Sequence, residues 1–226
     1  MSDQYAYFFG CLLSAVFWLY FFGSRKDLRR EMLWASSLGL PFGVMDYFLV
    51  PEYWHPDSLF GLIGKYGVGI ESFLFFFFMS GISSILYEFL ERRKDVRVKK
   101  SRHLHLFSLI VGISVFAFLE VFISRRAIYN FMIALGVGAL ITAYKRPDLI
   151  KQMIASAFLF SAFYFGIFFV AVQVFSNAVS RFYNFPNIWG VLIFGVPLEE
   201  IIIGFIGGAF WSVLYEYAKS YKEVEL

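Results

Sequence analysis

Adjacent carboxylates open one of the apolar segments of this chain. Glu199 and Glu200 follow Gly195–Leu198, and a related stretch, Gly67–Ile70, places Glu71 at the start of an earlier apolar segment. A carboxylate inside a lipid-embedded helix costs about 2.5–3.5 kcal/mol of insertion free energy. Because such a cost is seldom retained without a use, these three acids are candidates for acid–base chemistry.

The two neighbouring glutamates cannot both face one point on a regular helix, because consecutive side chains point about 100° apart. Pro197 predicts a helix start or a distortion at this position. In the alternative interpretation, Glu199 or Glu200 pairs with Arg181 or Arg126, or accepts backbone N–H groups at the helix start.

Asp46 is a further acid within an apolar segment, between Gly43 and Tyr47, and no basic residue lies nearby in the sequence. It is either a functional acid or a partner in a hydrogen bond across a helix bundle.

Other polar and aromatic residues have simpler interpretations. Glutamates beside basic residues at segment ends are expected to form interfacial ion pairs: Glu88, Glu120 and Glu216. Four aromatic residues are typical of the belt at a membrane interface: Tyr53, Trp54, Tyr183 and Trp189. The three histidines lack metal-ligand spacing, and no dinucleotide or magnesium–diphosphate motif is present, so we expect no metal and no cofactor.

The composition is that of an integral membrane protein with several spans. Of the 226 residues, 59% are hydrophobic and 16% are charged, and the mean hydropathy is +0.66. The 31 phenylalanines either pack helices and face lipid or line an aromatic cavity that could stabilise a cation. Seven apolar runs predict an all-α protein with helices near 5–23, 32–50, 68–90, 104–123, 128–144, 151–175 and 188–217.

The basic residues predict the orientation. With the N-terminus outside and the C-terminus cytoplasmic, the outer side receives only Lys65, Arg125, Arg126 and Arg181, and every other lysine and arginine falls inside. The basic loop 91–102 is interpreted as a cytoplasmic linker beside anionic lipid, not as a nucleic-acid site.

An internal repeat predicts the architecture. Residues 67–89 align without gaps on 195–217, matching Glu71 with Glu199 and Glu88 with Glu216. Each half therefore has three helices, and the fourth helix links two halves of the same orientation in a parallel 3+1+3 arrangement. The predicted units are a first repeat at 1–95, a linker at 96–126 and a second repeat at 127–226. Glu71 and Glu199 are expected to approach each other near the repeat axis.

These features resemble the membrane-integral lycopene cyclase domain family of carotenoid biosynthesis. Its signature is an aromatic-and-proline loop before a helix that opens with Pro-x-Glu-Glu, and here Phe182–Pro186 precedes Pro197–Glu200. In the first half, Tyr53–Pro56 precedes Gly69–Ser72, which lacks the proline and the second glutamate. Asp46 matches an acidic position that the family tends to carry on its second helix. Fused members also have two three-helix halves and a linking helix.

The resemblance implies a lycopene β-cyclase, an intramolecular lyase or isomerase without a cofactor. An acid protonates the terminal double bond of the acyclic ψ-end, the internal double bond closes a six-membered ring, and a base removes a ring proton. Glu199 or Glu200 is the expected proton donor, and Glu71 and Asp46 are expected to act as the base or to hold the donor's protonation state. The residues expected to bind substrate are Tyr53, Trp54, Tyr183 and Pro197.

The resemblance implies lycopene or a related C40 carotenoid and the lipid bilayer as partners, and leaves homo-oligomers or association with other carotenoid enzymes open. One site between the halves, used for each substrate end in turn, is the working hypothesis. The alternatives are a carotenoid end-group hydratase, a small-solute or proton-coupled transporter with parallel repeats, and a structural partner subunit.

Overall fold

The described part of the chain is almost entirely helical. A computed structural model describes residues 5–91, 93–97, 106–123, 126–219 and 221–225, without the side chains of 93–97 and 221–225. The α-helices are α1 (Ala6–Ser24), α2 (Arg29–Gly39), α3 (Asp46–Leu49), α4 (Leu62–Tyr66), α5 (Ile70–Glu91), α6 (Phe107–Phe122), α7 (Ala127–Lys145), α8 (Ile150–Val174), α9 (Ala178–Phe182), α10 (Leu198–Trp211) and α11 (Leu214–Lys219). The strands are β1 (Arg93–Arg97), β2 (Leu192–Ile193), β3 (Val196–Pro197) and β4 (Tyr221–Glu225).

Five helices within the described ranges are long and apolar enough to cross a membrane, which agrees with an all-α membrane protein. They are Ala6–Ser24, Ile70–Glu91, Ala127–Lys145, Pro147–Val174 and Leu198–Lys219. The other two predicted spans, at 32–50 and 104–123, do not meet these criteria. In the second case α6 has 16 residues, fewer than the about 20 that cross the hydrocarbon core.

The predicted span at 32–50 is interrupted in its middle. α2 ends at Gly39, a 3-10 helix covers Leu40–Met45, and α3 begins at Asp46. Pro41 has no N–H group for a helical hydrogen bond. A Cβ atom at Gly43 would lie 2.6 Å from the Cα atom of Phe73, so this segment approaches α5 closely. The interruption places Asp46 in the first turn of a short helix.

The predicted span at 188–217 is wrong over residues 188–197. β2 and β3 pair as an antiparallel hairpin there, and the helix begins at Leu198. Phe194 and Gly195 have positive φ angles of 49° and 86°, which turn the chain between the two strands. Pro197 is the N-cap of α10, so the alternative of a helix start at this proline is correct.

Two close helix pairs hold the bundle together, because α5 packs against α2 and α10 packs against α8. Small residues let the backbones approach at both contacts. A Cβ atom at Gly39 would lie 2.8 Å from the carbonyl oxygen of Phe76, and one at Gly208 would lie 2.8 Å from the carbonyl oxygen of Ser156. The helices α5 and α10 are thereby fixed in the middle of the bundle.

Gly208→Ala is expected to destabilise the protein by about 1–3 kcal/mol, because the added methyl group would also lie 2.8 Å from the Cβ atom of Phe160. Gly207→Ala is the matched control, since nothing lies within 4 Å of a Cβ atom there. Thermal unfolding of the purified proteins in detergent compares the two. Equal midpoints for Gly208→Ala and Gly207→Ala would show that the α8–α10 contact has room for a side chain.

The two ends of the bundle differ in their connections. We call the end where α5 and α10 begin the upper end, and the opposite end the lower end. At the upper end two loops pair: Trp54 and Tyr183 form an antiparallel bridge, and the N–H group of Asn184 donates to the Tyr53 carbonyl at 2.9 Å. At the lower end, β1 pairs with β4. Residues 92 and 98–102 of the predicted basic loop lie outside the described residues.

Candidate active site

A cavity of about 190 Å³ lies between the helices below the paired upper loops. Among the described residues that line it, only Asp46 and Glu200 carry carboxylates. Most of the others are apolar, and the aromatic ones are Tyr7, Phe42, Tyr53, Trp54, Phe75, Phe76, Phe131, Phe160, Tyr164, Phe168, Phe182, Tyr183 and Trp211. For the phenylalanines in this list, the interpretation that they line an aromatic cavity therefore applies.

Three phenol groups hold the Glu200 carboxylate at the upper end of the cavity. Tyr53 and Tyr183 donate to Oε1 at 2.8 and 2.7 Å, and Tyr164 donates to Oε2 at 2.9 Å. All four side chains are buried. Because the phenols come from two loops and from α8, the site forms only when these elements are packed together.

The phenols of Tyr53 and Tyr183 remain neutral donors. Burial raises the pKa of both groups well above the ordinary value, and the neighbouring Glu200 carboxylate raises it further. A neutral phenol can donate its proton to a carboxylate or accept one from a carboxylic acid. The cluster can therefore hold Glu200 in either protonation state.

Glu199 faces a different environment from Glu200, although the two are adjacent. Its Oε1 atom accepts from the backbone N–H of Trp189 at 2.6 Å and from the Tyr129 phenol at 3.1 Å. Glu199 does not line the cavity. The helix angle of about 100° per residue accounts for the separation, since α10 is regular from its first turn.

Asp46 is held by the beginning of α5. Its Oδ2 atom accepts from the backbone N–H of Gly69 at 3.2 Å and from the Ser72 hydroxyl. The Ser72 hydroxyl in turn lies 2.5 Å from the Tyr7 phenol. Asp46 therefore makes the hydrogen bond across the bundle that was one of its two interpretations, and it also lines the cavity.

Glu71 points away from the cavity. Its Oε1 atom accepts from the backbone N–H of Leu59, and the residue lines a separate polar pocket at the upper end. Glu71 and Glu199 accept from different upper loops, Glu71 from Leu59 and Glu199 from Trp189, and their expected approach stays a prediction.

In both repeats, the residue after the aligned glutamate contacts side chains that line the cavity. Ser72 contacts Asp46 and Tyr7, and Glu200 contacts three tyrosines. The alignment of 67–89 on 195–217 thus agrees with the equivalent positions of Ser72 and Glu200. The two acids that line the same cavity, however, are Asp46 and Glu200.

The predicted substrate-binding residues separate into two groups. Tyr53, Trp54 and Tyr183 line the cavity, whereas Pro197 lies in β3 and does not. The interpretation of Tyr53 and Tyr183 as members of an interfacial belt is wrong, because both are buried against each other with ring centroids 5.3 Å apart. Trp189 is 51% exposed, as a belt residue would be.

Arg181 has a partner other than the expected one, and Arg125, the basic residue expected to pair with Glu120, lies outside the described residues. Arg181 pairs with Asp57 at 2.6 Å rather than with a glutamate of α10. Glu120 accepts from the side-chain amide of Asn130 at 2.7 Å. Glu199 does accept a backbone N–H group, but from Trp189 in the loop before α10 rather than from the start of a helix.

Sequence reasoning missed Tyr164, Tyr129 and Ser72. Tyr164 offers a weak signal, a phenol in a run that is otherwise apolar from Phe158 to Val172 apart from Ser161. Ser72 could have been found from the repeat, since it aligns with Glu200. Nothing in the local sequence of Tyr129 indicates its contact with Glu199.

Fold and site together define a helical membrane protein whose apolar, aromatic cavity contains acid groups. The family model described as lycopene cyclase matches residues 4–90 and 126–218, more than half of the chain. The chain therefore belongs to the lycopene cyclase family and is an enzyme of carotenoid cyclisation. No curated protein and no solved structure matches it.

Proposed function

We propose that the protein is a lycopene β-cyclase that uses Glu200 as its proton donor and Asp46 as its base. The observation that carries the proposal is the position of Glu200, which faces an aromatic cavity while three phenols hold its carboxylate. A cyclase needs this combination of a Brønsted acid and a dry, apolar space.

The reaction transfers one proton to the substrate and removes another. Protonated Glu200 adds its proton to the terminal double bond of the ψ-end, leaving a carboxylate and a tertiary carbocation. The electron pair of the internal double bond then forms the ring bond, and the positive charge moves to the ring. Asp46 takes a ring proton, and the electrons of that C–H bond form the ring double bond. The product has the mass of lycopene, and no oxidant or reductant takes part.

The phenol cluster stabilises the carboxylate that Glu200 becomes when its proton leaves. Hydrogen bonds to a developing anion in a site without water contribute to the rate because they strengthen in the transition state. Asp46 receives comparable support from the Gly69 N–H group and the Ser72 hydroxyl. Aromatic faces around the cavity stabilise the carbocation.

Each substitution of Tyr53, Tyr164 or Tyr183 by Phe is expected to lower the cyclisation rate by about 10- to 100-fold. One hydrogen bond to a charged group contributes about 1.5–3 kcal/mol, and about 1.4 kcal/mol corresponds to a factor of ten. Initial rates of ring formation in membranes measure the effect. Tyr129→Phe, which removes the phenol that contacts Glu199, is the matched control and is expected to change the rate less than threefold. Equal losses in all four variants would contradict the role of the Glu200 cluster.

Glu71 is assigned a positioning role. Its contact with the Leu59 N–H group fixes the start of α5, which presents Gly69 and Ser72 to Asp46. This proposal takes the place of the two roles expected for Glu71, the base or the group that holds the donor's protonation state.

The cavity holds one substrate end at a time. Its volume of about 190 Å³ is below the roughly 300–1,000 Å³ of pockets that enclose whole drug-sized ligands. A C40 polyene therefore inserts one ψ-end while the rest extends beyond the cavity, and the second end requires a second binding event. Residues from both predicted repeats, including Asp46 and Glu200, supply this single site.

The proposed architecture is the parallel 3+1+3 repeat with units at 1–95, 96–126 and 127–226 and seven membrane segments. The interrupted segment from α2 to α3 and the short α6 are the two segments beyond the five long helices. The upper end faces outward in this arrangement, because most of the basic residues are expected at the lower end. The pairing of the two upper loops supports a two-half organisation.

Expression in a host that accumulates lycopene tests the function. The pigments are separated by chromatography with absorption and mass detection. A product with blue-shifted absorption and the mass of lycopene supports the cyclase. A product heavier by one water would identify a hydratase, and unchanged lycopene beside membrane-inserted protein would contradict both.

A further inference from the structure

The proposed reaction leaves the two cavity acids in the wrong protonation states for a second turnover. Glu200 has lost a proton and Asp46 has gained one, so a proton must return from Asp46 to Glu200 before the next ring can close. Both side chains are buried, with Asp46 3% and Glu200 5% exposed. Because burial restricts exchange with bulk water, we expect the return path to lie inside the protein.

A chain of hydroxyl groups begins at Asp46 and leads to Tyr7. The Ser72 hydroxyl donates to Oδ2 of Asp46, and its oxygen lies 2.5 Å from the oxygen of the Tyr7 phenol. A hydroxyl group has one proton to donate. Since the Ser72 proton is directed at Asp46, the Tyr7 phenol is the donor to Ser72. Both hydrogen bonds therefore point towards the base.

Tyr7 also lies near the phenols that hold Glu200. It lines the same cavity as Tyr164 and Tyr183. Its ring packs against Trp54 with the centroids 4.6 Å apart, and the Trp54 and Tyr183 centroids are 6.2 Å apart. Burial raises the pKa of the Tyr183 phenol, and an electrostatic contribution from the Tyr7 phenol raises it further, so the two groups are close.

The step from Tyr7 to the Glu200 cluster crosses the cavity. A buried water molecule needs about 10–15 Å³ of free volume and two to four polar partners. The cavity of about 190 Å³ offers the phenols of Tyr7, Tyr164 and Tyr183 at its wall. One water can therefore join them when no substrate is bound. A bound ψ-end fills the same space with hydrocarbon, so this path opens only between turnovers.

Given the proposed cyclase mechanism, on which this inference rests, we propose that Tyr7 relays the abstracted ring proton from Asp46 back to Glu200. Protonated Asp46 gives its proton to the Ser72 oxygen, and the Ser72 proton passes to the Tyr7 oxygen. The Tyr7 proton then passes to the cavity water.

The last transfer completes the proton balance. The water gives a proton to Tyr164 or Tyr183, and that phenol gives its own proton to Glu200. Every oxygen between the two acids loses one proton and gains one, so only Asp46 and Glu200 change charge. The hydroxyl groups then rotate back to the hydrogen-bond direction of the resting enzyme, in which Tyr7 donates to Ser72.

Release of the proton to bulk water at the upper end is the competing route. Glu71 lines the polar pocket there, and its Oε1 atom accepts from the Leu59 N–H group. Its side chain points away from the cavity and is not a member of the hydroxyl chain. The two routes differ in one respect, because only internal return depends on the Tyr7 hydroxyl.

Tyr7→Phe tests the relay, because it removes the hydroxyl and keeps the ring that packs against Trp54. Rapid-quench kinetics of the purified protein with excess lycopene separate the first ring formed per active site from later rings. We expect the first ring to form within about threefold of the wild-type rate, since the resting enzyme already has Glu200 protonated and Asp46 ionised. Later rings should form about 100-fold more slowly than in wild type, the lower end of what a positioned proton-transfer group contributes.

Two controls accompany this variant. Tyr5→Phe makes the same change two residues earlier, where the side chain is 49% exposed and lines the polar pocket instead of the cavity. It should form first and later rings at the wild-type rates. Imidazole, which takes up and releases a proton near neutral pH, should accelerate the later rings of Tyr7→Phe by about tenfold or more and leave the wild type unchanged.

Equal rates of later rings in wild type and Tyr7→Phe would overturn the relay. An equal loss in first and later rings would also overturn it, because Tyr7 would then support packing or the first chemical step. A loss confined to later rings that imidazole does not relieve would assign Tyr7 to product release, with the same consequence. Wild-type protein that forms no ring would instead contradict the proposed cyclase, which the other three results leave standing.

Discussion

Glu200→Gln is expected to lower ring formation by about 100- to 10,000-fold, the range that a positioned general acid contributes. Glutamine has nearly the same volume; its amide oxygen can accept from Tyr53 and Tyr183 while its NH2 group donates to the Tyr164 oxygen, but it has no acidic proton to give to the terminal double bond. The pigments of a lycopene-accumulating host, analysed by chromatography with mass detection, report the loss. The amount of protein inserted in the membrane must equal that of wild type.

Glu199→Gln is the matched control for this prediction, because it makes the same chemical change one residue earlier on α10. The Glu199 side chain contacts the Trp189 backbone and Tyr129 and does not line the cavity. We expect it to retain activity within about tenfold of wild type, since an amide oxygen can still accept both hydrogen bonds. Loss of activity in Glu199→Gln with retention in Glu200→Gln would reverse the assignment of the donor.

Asp46→Asn is expected to produce the second large loss, again about 100- to 10,000-fold. The asparagine amide can still accept from Gly69 N–H and Ser72, so the fold should persist, but it cannot take up the ring proton that must leave. Rates of lycopene consumption and of product formation are measured together. The same vesicles serve for protein quantification.

Glu71→Gln provides the comparison for Asp46→Asn. The residue contacts the Leu59 backbone and lines the separate polar pocket, so its loss should disturb only the position of α5. We expect the cyclisation rate to fall by about tenfold or less, because the Leu59 N–H group would donate to a neutral amide instead of a carboxylate. If Glu71→Gln abolished cyclisation while Asp46→Asn remained active, Glu71 would be the base.

The sequence was sufficient to predict which acids to examine, because an acid in an apolar run is visible without a structure. Asp46, Glu71, Glu199 and Glu200 all proved to be buried. Their division into cavity groups and loop contacts was not predictable, since it depends on where α10 begins and on the hairpin before it. Pro197 indicated that start, but the hairpin is set by Phe194 and Gly195 with positive φ angles.

The helices were predicted where a segment is apolar and uninterrupted, as in α1, α5, α7 and α8. The prediction failed at 32–50, because its hydropathy does not reveal the close approach of Gly43 to Phe73. It also did not predict the burial of Glu88 and Glu216, whose basic neighbours in the sequence suggested interfacial ion pairs. Burial there results from packing between distant helices, which local charge patterns do not report.

Single-turnover cyclisation in heavy water is the most direct test of the central claim, that a protein carboxyl group protonates the polyene. The purified protein is equilibrated in D₂O so that its acidic protons exchange, mixed with a substoichiometric amount of lycopene, and the product is analysed by mass spectrometry. The account predicts one deuterium for each ring formed, because the acid adds a deuteron and the base removes a ring proton. A cyclised product with the mass of unlabelled lycopene would show that the ring closes without proton addition from an exchangeable acid, and would contradict the account.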